Sequence, residues 1–338
     1  MLNSDKTEPL LVVEQLQKHF PLKKKWREKH PPLLKAVDGV SLTIYRGETL
    51  GIVGESGSGK STLAKLILRL LEPTGGKVYF QGKNLHTQTA SEQRQSSKHL
   101  QAVFQDPYSS LNPRMRAKDL VTEPLLIHEN LTNQERAERA VELLEEVGLG
   151  THHLNRYPHQ FSGGQRQRLS IARALALKPD LIICDEPVSA LDVSIQAQIL
   201  NLLKKLQQDY GMAYLFIAHG LPAVKHISDR VAIMYAGRIV ELADQDTLFS
   251  NPKHPYTQGL LQAVPPSHPR DRKKHVLVKG EPPSMLQQKG GCSFYTRCPY
   301  GQPMCLEKTP DLIEDGTRHY HACFYPNDSN TQYEEETL

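Results

Sequence analysis

Three short clusters in this sequence combine residue types able to work on a phosphate ester. The first is Gly54-Glu55-Ser56-Gly57-Ser58-Gly59-Lys60-Ser61, with Thr62 following. Glycine, four residues, glycine, lysine and serine is a spacing that lets backbone amides turn inward on phosphate oxygens, with the positive N-terminal end of the next helix behind them. Lys60 is placed to hold the β and γ phosphates, and the Ser61 hydroxyl to meet magnesium. The second cluster is Cys184-Asp185-Glu186, at the end of an apolar run. Asp185 suits magnesium, directly or through water, and Glu186 suits the general base that orients and polarises an attacking water. The third is Phe161-Ser162-Gly163-Gly164-Gln165. Ser162 reads as a helix N-cap and Gln165 as its capping-box partner, and the two glycines leave amides bare at a helix start, a second place for an anion. Two anion sites and one nucleotide point to a site shared across an interface.

Each cluster needs a rigid element to position it. Thr49 to Val53 is a short apolar run entering Gly54, and Leu63, Leu66, Ile67, Leu70 and Leu71 repeat at helical spacing behind Lys60, so strand, glycine loop and helix follow in order. Leu181-Ile182-Ile183-Cys184 reads as a strand of a parallel sheet covered on both faces, which places Asp185 and Glu186 at its carboxyl edge. Leu10 to Leu16 and Val37 to Tyr45 alternate as half-exposed strands, joined across a basic, solvated loop from Lys23 to Pro32. Thr132 and Glu135 form a capping box before Ala137, Ala140, Val141, Leu144 and Val147, and Gly148 stops that helix. The expected fold is therefore an α/β nucleoside-triphosphatase core over residues 1–250, with a helical subdomain inserted at about 105–162. Ten of the 23 prolines fall between Ser250 and Pro310, too dense for long helices, so residues 251–338 are expected to form a loop-rich extension ending in a frayed, acidic tail from Asn327.

Composition excludes several other classes. The chain has 338 residues, 38% hydrophobic and 23% charged, which suits a globular protein and neither a disordered nor a membrane-embedded one. A net charge of +4 is too mild to argue for nucleic acid. No apolar run reaches the roughly 18 residues of a membrane span, and the first nine residues lack the apolar centre of a secretory signal, so a cytosolic chain reaching the membrane through partners is expected.

Four of the five cysteines, Cys292, Cys298, Cys305 and Cys323, gather in the extension with five, six and seventeen residues between them. In a reducing compartment thiols so grouped suggest metal rather than disulfides, but the gaps match neither common zinc sites nor ferredoxin runs. Zinc, with His319 or His321 as substitute ligands, an iron-sulfur cluster and free thiols all remain open on spacing. Cys184 reads as a small core residue.

Taken together, the motifs resemble the ATP-binding subunits of ABC transporters over nearly the whole chain. Gly54 to Ser61 is similar to their Walker A loop, Phe161 to Gln165 to their signature and Leu181 to Glu186 to their Walker B strand. Gln105 matches the Q-loop, Ser189 to Asp192 the D-loop and His219 the switch histidine. Phe20 falls where the family stacks an aromatic on adenine. Finer resemblance, in Ser109 to Arg114, Pro187 to Gln198, Asn251 to Thr257 and Gly280 to Ser284, is to the dipeptide and oligopeptide importer ATPases of the F-subunit type, with nickel and antimicrobial-peptide uptake systems sharing much of it. It implies ATP hydrolysis with Mg2+ held by Ser61, Gln105 and Asp185, and with Glu186, His219 and Gln105 at the reacting centre. Ser162 to Gln165 and Asp192 are implied to complete the partner's ATP site in a head-to-tail heterodimer with a second ATPase chain. Two permease subunits and, indirectly, an external peptide-binding protein are implied as partners on the cytoplasmic face, and a [4Fe-4S] cluster on the four cysteines. A soluble, non-transport ATPase of the same fold is the competing class. Gly220 stands where the family usually has Asp, a change that should spare hydrolysis and alter the turn after His219.

Overall fold

The computed structural model of the chain describes residues 8–22, 31–263, 290–316 and 318–326. The basic residues Lys23 to His30, the Gly280 to Ser284 segment and the Asn327 to Leu338 tail lie outside them. Two sheets organise the described residues. The smaller is antiparallel, in the order β2 (Leu33–Tyr45), β1 (Pro9–Pro21), β4 (Gly75–Phe80), β5 (Lys83–Asn84). The larger has eight strands. Its parallel centre is β9 (Arg230–Tyr235), β3 (Thr49–Val53), β8 (Ala213–Ala218), β7 (Leu181–Asp185) and β6 (Leu100–Val103), and β10 (Arg238–Asp244) adds antiparallel to β9. Every residue of β3, β7 and β8 is buried, the pattern of strands covered on both faces.

Helix α1 (Lys60–Ile67) leaves the glycine loop directly, and α2 (Ala90–His99) leads into β6. Between β6 and β7 run α3 (Pro107–Ser110), α4 (Ala117–His128), α5 (Asn133–Glu146) and α6 (Gly163–Leu175). The Thr132 hydroxyl accepts from the Glu135 amide while the Glu135 carboxylate accepts from the Thr132 amide, the reciprocal box that starts α5. Leu120, Val121 and Leu125 of α4 pack with Leu143 and Leu144 of α5 and Leu169 of α6 in the same apolar cluster as Val103 of β6, so the helical layer rests on the sheet. Then follow α7 (Val193–Tyr210), α8 (Leu221–Ile227), α9 (Gln245–Ser250) and α10 (Pro255–Gln262).

Beyond residue 289 the chain forms α11 (Pro303–Glu307) and two short strands, β11 (Ile313–Glu314) and β12 (Tyr320–His321). β12 pairs with β10 and β11 with β12, extending the main sheet. The junction is buried: Glu241 of β10, fully inaccessible, accepts from the amides of Lys253 and His254 and pairs with His319 Nε2 at 2.7 Å. Three hydrogen-bonding partners on this one buried carboxylate tie the extension to β10.

Candidate nucleotide site

The glycine loop sits where β3 ends and α1 begins. A Cβ on Gly54 would lie 2.1 Å from the Met234 carbonyl oxygen, and one on Gly59 2.1 Å from that of Ala36, where the backbone also turns left-handed at φ +107°. Only glycine fits either place, so the loop is packed against its neighbours. Lys60, buried, donates from Nζ to the carbonyls of Gly54 (2.7 Å) and Glu55 (2.9 Å) and approaches Ser58 Oγ at 3.4 Å. Burial pulls its ammonium down to about 8, against the upward pull of Glu186, Asp185 and Glu55. Ser61 Oγ, on the first turn of α1, donates to Asp185 Oδ1 at 3.1 Å, which joins two of the three expected magnesium ligands at one point. Burial raises the Asp185 carboxyl. Thr62 follows on α1, half-buried.

Glu186 lies just past the end of β7. Its backbone is left-handed, φ +52°, a conformation a glutamate holds only where surroundings enforce it. Here the Glu186 amide donates to the Ile217 carbonyl at 2.9 Å. The 4%-exposed carboxylate is fixed from two sides: Gln105 Nε2 donates to Oε2 at 2.8 Å, and His219 Nε2 stands 2.5 Å from Oε1. His219 Nδ1 in turn lies 3.3 Å from the Gly54 carbonyl and 3.5 Å from Lys60 Nζ. The three residues expected at the reacting centre thus meet, and they meet beside the loop lysine. Gly220 is the N-cap of α8 with an extended backbone and no side-chain cap bond.

The remaining expected residues sit elsewhere. Ser162 caps α6, its oxygen accepting from the Gln165 amide while Gln165 Oε1 accepts from the Ser162 amide. Ser162 and Gly163 are exposed, and no hydrogen bond joins Ser162 to Gln165 with the glycine loop among the described residues. A Cβ on Gly164 would come within 2.6 Å of Ile195 Cγ2, so this glycine permits close approach of α6 to α7. Asp192, exposed, is the N-cap of α7 without a side-chain bond to it. Phe20 is half-buried near the end of β1, with Lys18 Nζ 5.2 Å from its ring centre.

Glu55 has partners that no local pattern suggests. Its amide donates to the Tyr256 hydroxyl at 3.0 Å, and both its carboxylate oxygens are gripped by Arg297, 242 residues away.

The four extension cysteines line one cavity, together with Phe294, Tyr295, Tyr300 and Phe324. The Cys292 amide donates to the Cys305 carbonyl at 2.7 Å. Burial raises the thiols of Cys292 and Cys298, and pushes that of Cys323 up to about 12, with the neighbouring cysteines adding to it. Among the described residues no three His, Cys, Asp or Glu side chains stand close enough to hold a single metal ion. His319, named with His321 as a substitute zinc ligand, is engaged by Glu241 instead. Cys184 is fully buried in β7.

A sheet with a parallel centre, a glycine loop at one strand end, a lysine and serine entering a helix, and two carboxylates at the end of the next strand but one, beyond β8, define a P-loop nucleoside triphosphatase. Comparison with known proteins narrows the class. The ABC transporter family matches residues 37–189, and the family described as "Oligopeptide/dipeptide transporter, C-terminal region" matches residues 240–305. The chain is 49% identical to the putative oligopeptide transport ATP-binding protein YkfD of Bacillus subtilis, across 96% of this chain and 98% of that one. It is 50% identical to the oligopeptide transport ATP-binding protein OppF of Salmonella typhimurium (93% and 95%) and 48% identical to the dipeptide transport ATP-binding protein DppF of Escherichia coli (96% and 97%). Among solved structures, the dimeric ATP-binding cassette MJ0796 in a post-hydrolysis state with ADP and Pi superposes with a TM-score of 0.62 at 30% identity, over 70% of this chain and 98% of that one. The chain belongs to the ATP-binding subunits of ABC transporters, in their oligopeptide and dipeptide group.

Proposed function

We propose that this chain hydrolyses ATP to energise peptide import across the cytoplasmic membrane. In this reading it works on the cytoplasmic face with a second ATP-binding subunit, two permease subunits and, indirectly, an external peptide-binding protein. The observation that carries it is the clamp on Glu186: Gln105 at 2.8 Å and His219 at 2.5 Å hold one buried carboxylate beside Lys60 and the Ser61–Asp185 pair. Lys60 and the loop amides hold the terminal phosphates, and Glu186 takes a proton from water as the water oxygen bonds to the γ phosphorus. The bond to the bridging oxygen breaks, giving ADP and phosphate. Ser61, Asp185 and Gln105 would hold Mg2+, which supplies charge neutralisation on the phosphate oxygens.

The start of α6, Ser162 to Gln165, with Ser162 and Gly163 exposed, suits phosphates bound on a partner chain, as does the exposed Asp192. The helical layer offers a contact for the permeases: Leu126 and Ile127 are 53% and 52% exposed, beside a cavity of about 250 Å3 lined by Phe104, Glu123, Ile127 and Arg173. In the same reading residues 1–250 act as the nucleotide-binding unit, with the helical subdomain at about 105–162, and residues 251–338 as the extension. There the four cysteines would ligate a [4Fe-4S] cluster. What supports this reading is that all four thiols, soft donors, line one cavity with aromatic side chains, prolines and His254.

The test is co-purification. Tagged chain, extracted in mild detergent, should bring two integral membrane chains and a second ATPase with it. In liposomes that assembly should hydrolyse ATP several-fold faster with peptide-loaded binding protein. A chain that purifies alone, or an assembly indifferent to peptide, refutes the import reading. Iron and sulfide analysis of anaerobically purified chain tests the cluster, which a well-folded, metal-free extension would refute.

A further inference from the structure

Glu55 is the second residue of the phosphate loop, and the extension holds it twice. Arg297 Nη1 donates to Oε2 at 2.9 Å and Nη2 to Oε1 at 3.0 Å, a two-bond fork that fixes the carboxylate in orientation as well as in place. The Arg297 side chain is only 8% exposed, so this is not a solvated surface pair. Its guanidinium lies 5.9 Å from the Tyr235 ring centre and 6.0 Å from that of Phe294. The second hold is on the backbone, where the Tyr256 hydroxyl accepts from the Glu55 amide. Tyr256 packs against Tyr235 with ring centres 4.5 Å apart and against Phe294 at 5.5 Å, so both holds stand on one aromatic cluster.

Arg297 closes the short turn Tyr295–Arg297 that separates Cys292 from Cys298. The Tyr295 amide donates to the Cys292 carbonyl at 3.1 Å and the Cys298 amide to the Tyr295 carbonyl at 3.1 Å. Arg297 therefore cannot shift without disturbing the cysteine turn, nor the turn without moving Arg297. The electrostatic consequence is direct. A carboxylate in a loop that binds a triphosphate opposes that ligand unless its charge is compensated, and within a partly buried site the opposition is far stronger than in water.

We propose that Arg297 is a positioning residue of the nucleotide site, through which the turn between Cys292 and Cys298 sets the affinity of the phosphate loop for ATP. The proposal rests on Gly54 to Ser61 being the nucleotide site, which Lys60→Ala tests separately by abolishing binding. It holds whatever the thiols ligate, because the turn is seated both by its own backbone bonds and by the Cys298 side chain packed in the aromatic-lined cavity, which a serine would disturb.

The experiment measures equilibrium binding of a fluorescent ATP analogue with Mg2+ to the full chain, purified anaerobically. Arg297→Ala should weaken binding about tenfold, the scale of one lost charge-assisted fork. Arg297→Lys, which keeps the charge without the fork, should fall between it and the parent. Glu55→Gln, placed in the Arg297→Ala background, should recover part of the loss, since the uncompensated charge is then gone. A packing defect would show no such recovery. Cys298→Ser should weaken binding in the parent chain and add less than about twofold in the Arg297→Ala background, because both act through one link. In the assembled transporter the Arg297 variants should raise KM for ATP more than they lower kcat. Parent-like affinity in Arg297→Ala, absence of recovery by Glu55→Gln, or parent-like affinity in Cys298→Ser each overturns the proposal. If Arg297→Ala fails to fold, Arg297→Lys alone and with Glu55→Gln gives the same contrast.

Discussion

Glu186→Gln should leave ATP bound and nearly stop its hydrolysis. Glutamine has the same shape, so the packing around this buried side chain is kept, and its oxygen can still accept from Gln105. Its amide nitrogen then faces His219 Nε2, which must become an acceptor. That is met by moving the imidazole proton to Nδ1, 3.3 Å from the Gly54 carbonyl, although Nδ1 also stands 3.5 Å from the Lys60 ammonium. The cost to structure is one tautomer. The cost to chemistry is the base itself, worth about 10²- to 10⁴-fold in general-base catalysis, or about 3 to 5 kcal/mol in barrier. Binding, which the proposed reading gives to Lys60 and the loop amides, should change less than about threefold. Steady-state ATPase at saturating ATP, measured on the assembled transporter alongside nucleotide affinity, separates the two effects. Hydrolysis within about threefold of the parent would refute the role given to Glu186, and loss of binding would show that the carboxylate holds the loop together instead.

Three further outcomes follow from the same geometry. Burial brings Lys60 down to about 8, so above that pH the free chain must take up a proton as it binds ATP; affinity should be flat below pH 8 and weaken by up to about tenfold per unit above it. Titrations at pH 7 to 9.5, with calorimetry in two buffers to count the proton, check this, and a flat profile refutes it. Gly59→Ala forces a Cβ to within 2.1 Å of the Ala36 carbonyl and should destabilise the fold by about 1 to 3 kcal/mol and abolish nucleotide binding, whereas Gly57→Ala, with nothing within 4 Å, should cost less, as paired melting curves would show. The isolated chain should be a slow ATPase that speeds up on mixing with its partner subunits, since on the proposed reading Ser162 and Gly164 complete the partner's site; full activity in a monomer by light scattering would sink that assignment.

Legibility in the sequence followed local physics. The strands β3 and β7 are short, wholly buried runs with unmistakable ends, and both match the sequence expectation closely. Edge strands read less well. β1 runs on to Pro21, past the expected end at Leu16, because Gln15 adopts φ +44° and the register shifts between Val13 and Leu16 break the two-residue alternation. β11 and β12, two residues each, carry no period at all. The capping boxes at Thr132 and Ser162 were readable because both partners lie within four residues. The pairing of Glu55 with Arg297 was not, since nothing in either neighbourhood specifies a partner 242 residues distant.

Gln105 shows why the helical layer can govern chemistry on the proposed reading. It follows β6 at the point where the chain leaves the sheet for α3, so its backbone belongs to the connection between the two layers. Phe104 and Tyr108 on either side are 37% and 55% exposed, facing outward where a partner would press, while the Gln105 side chain reaches inward to Glu186. A hydrogen bond to a carboxylate is worth about 1.5 to 3 kcal/mol, and it weakens steeply once donor and acceptor separate by more than a few tenths of an ångström. A small displacement of this connection therefore suffices to release one oxygen of the base while His219 still holds the other. Hydrolysis would then answer to the position of the helical layer, with no need for the phosphate loop, packed on Met234 and Ala36, to move at all.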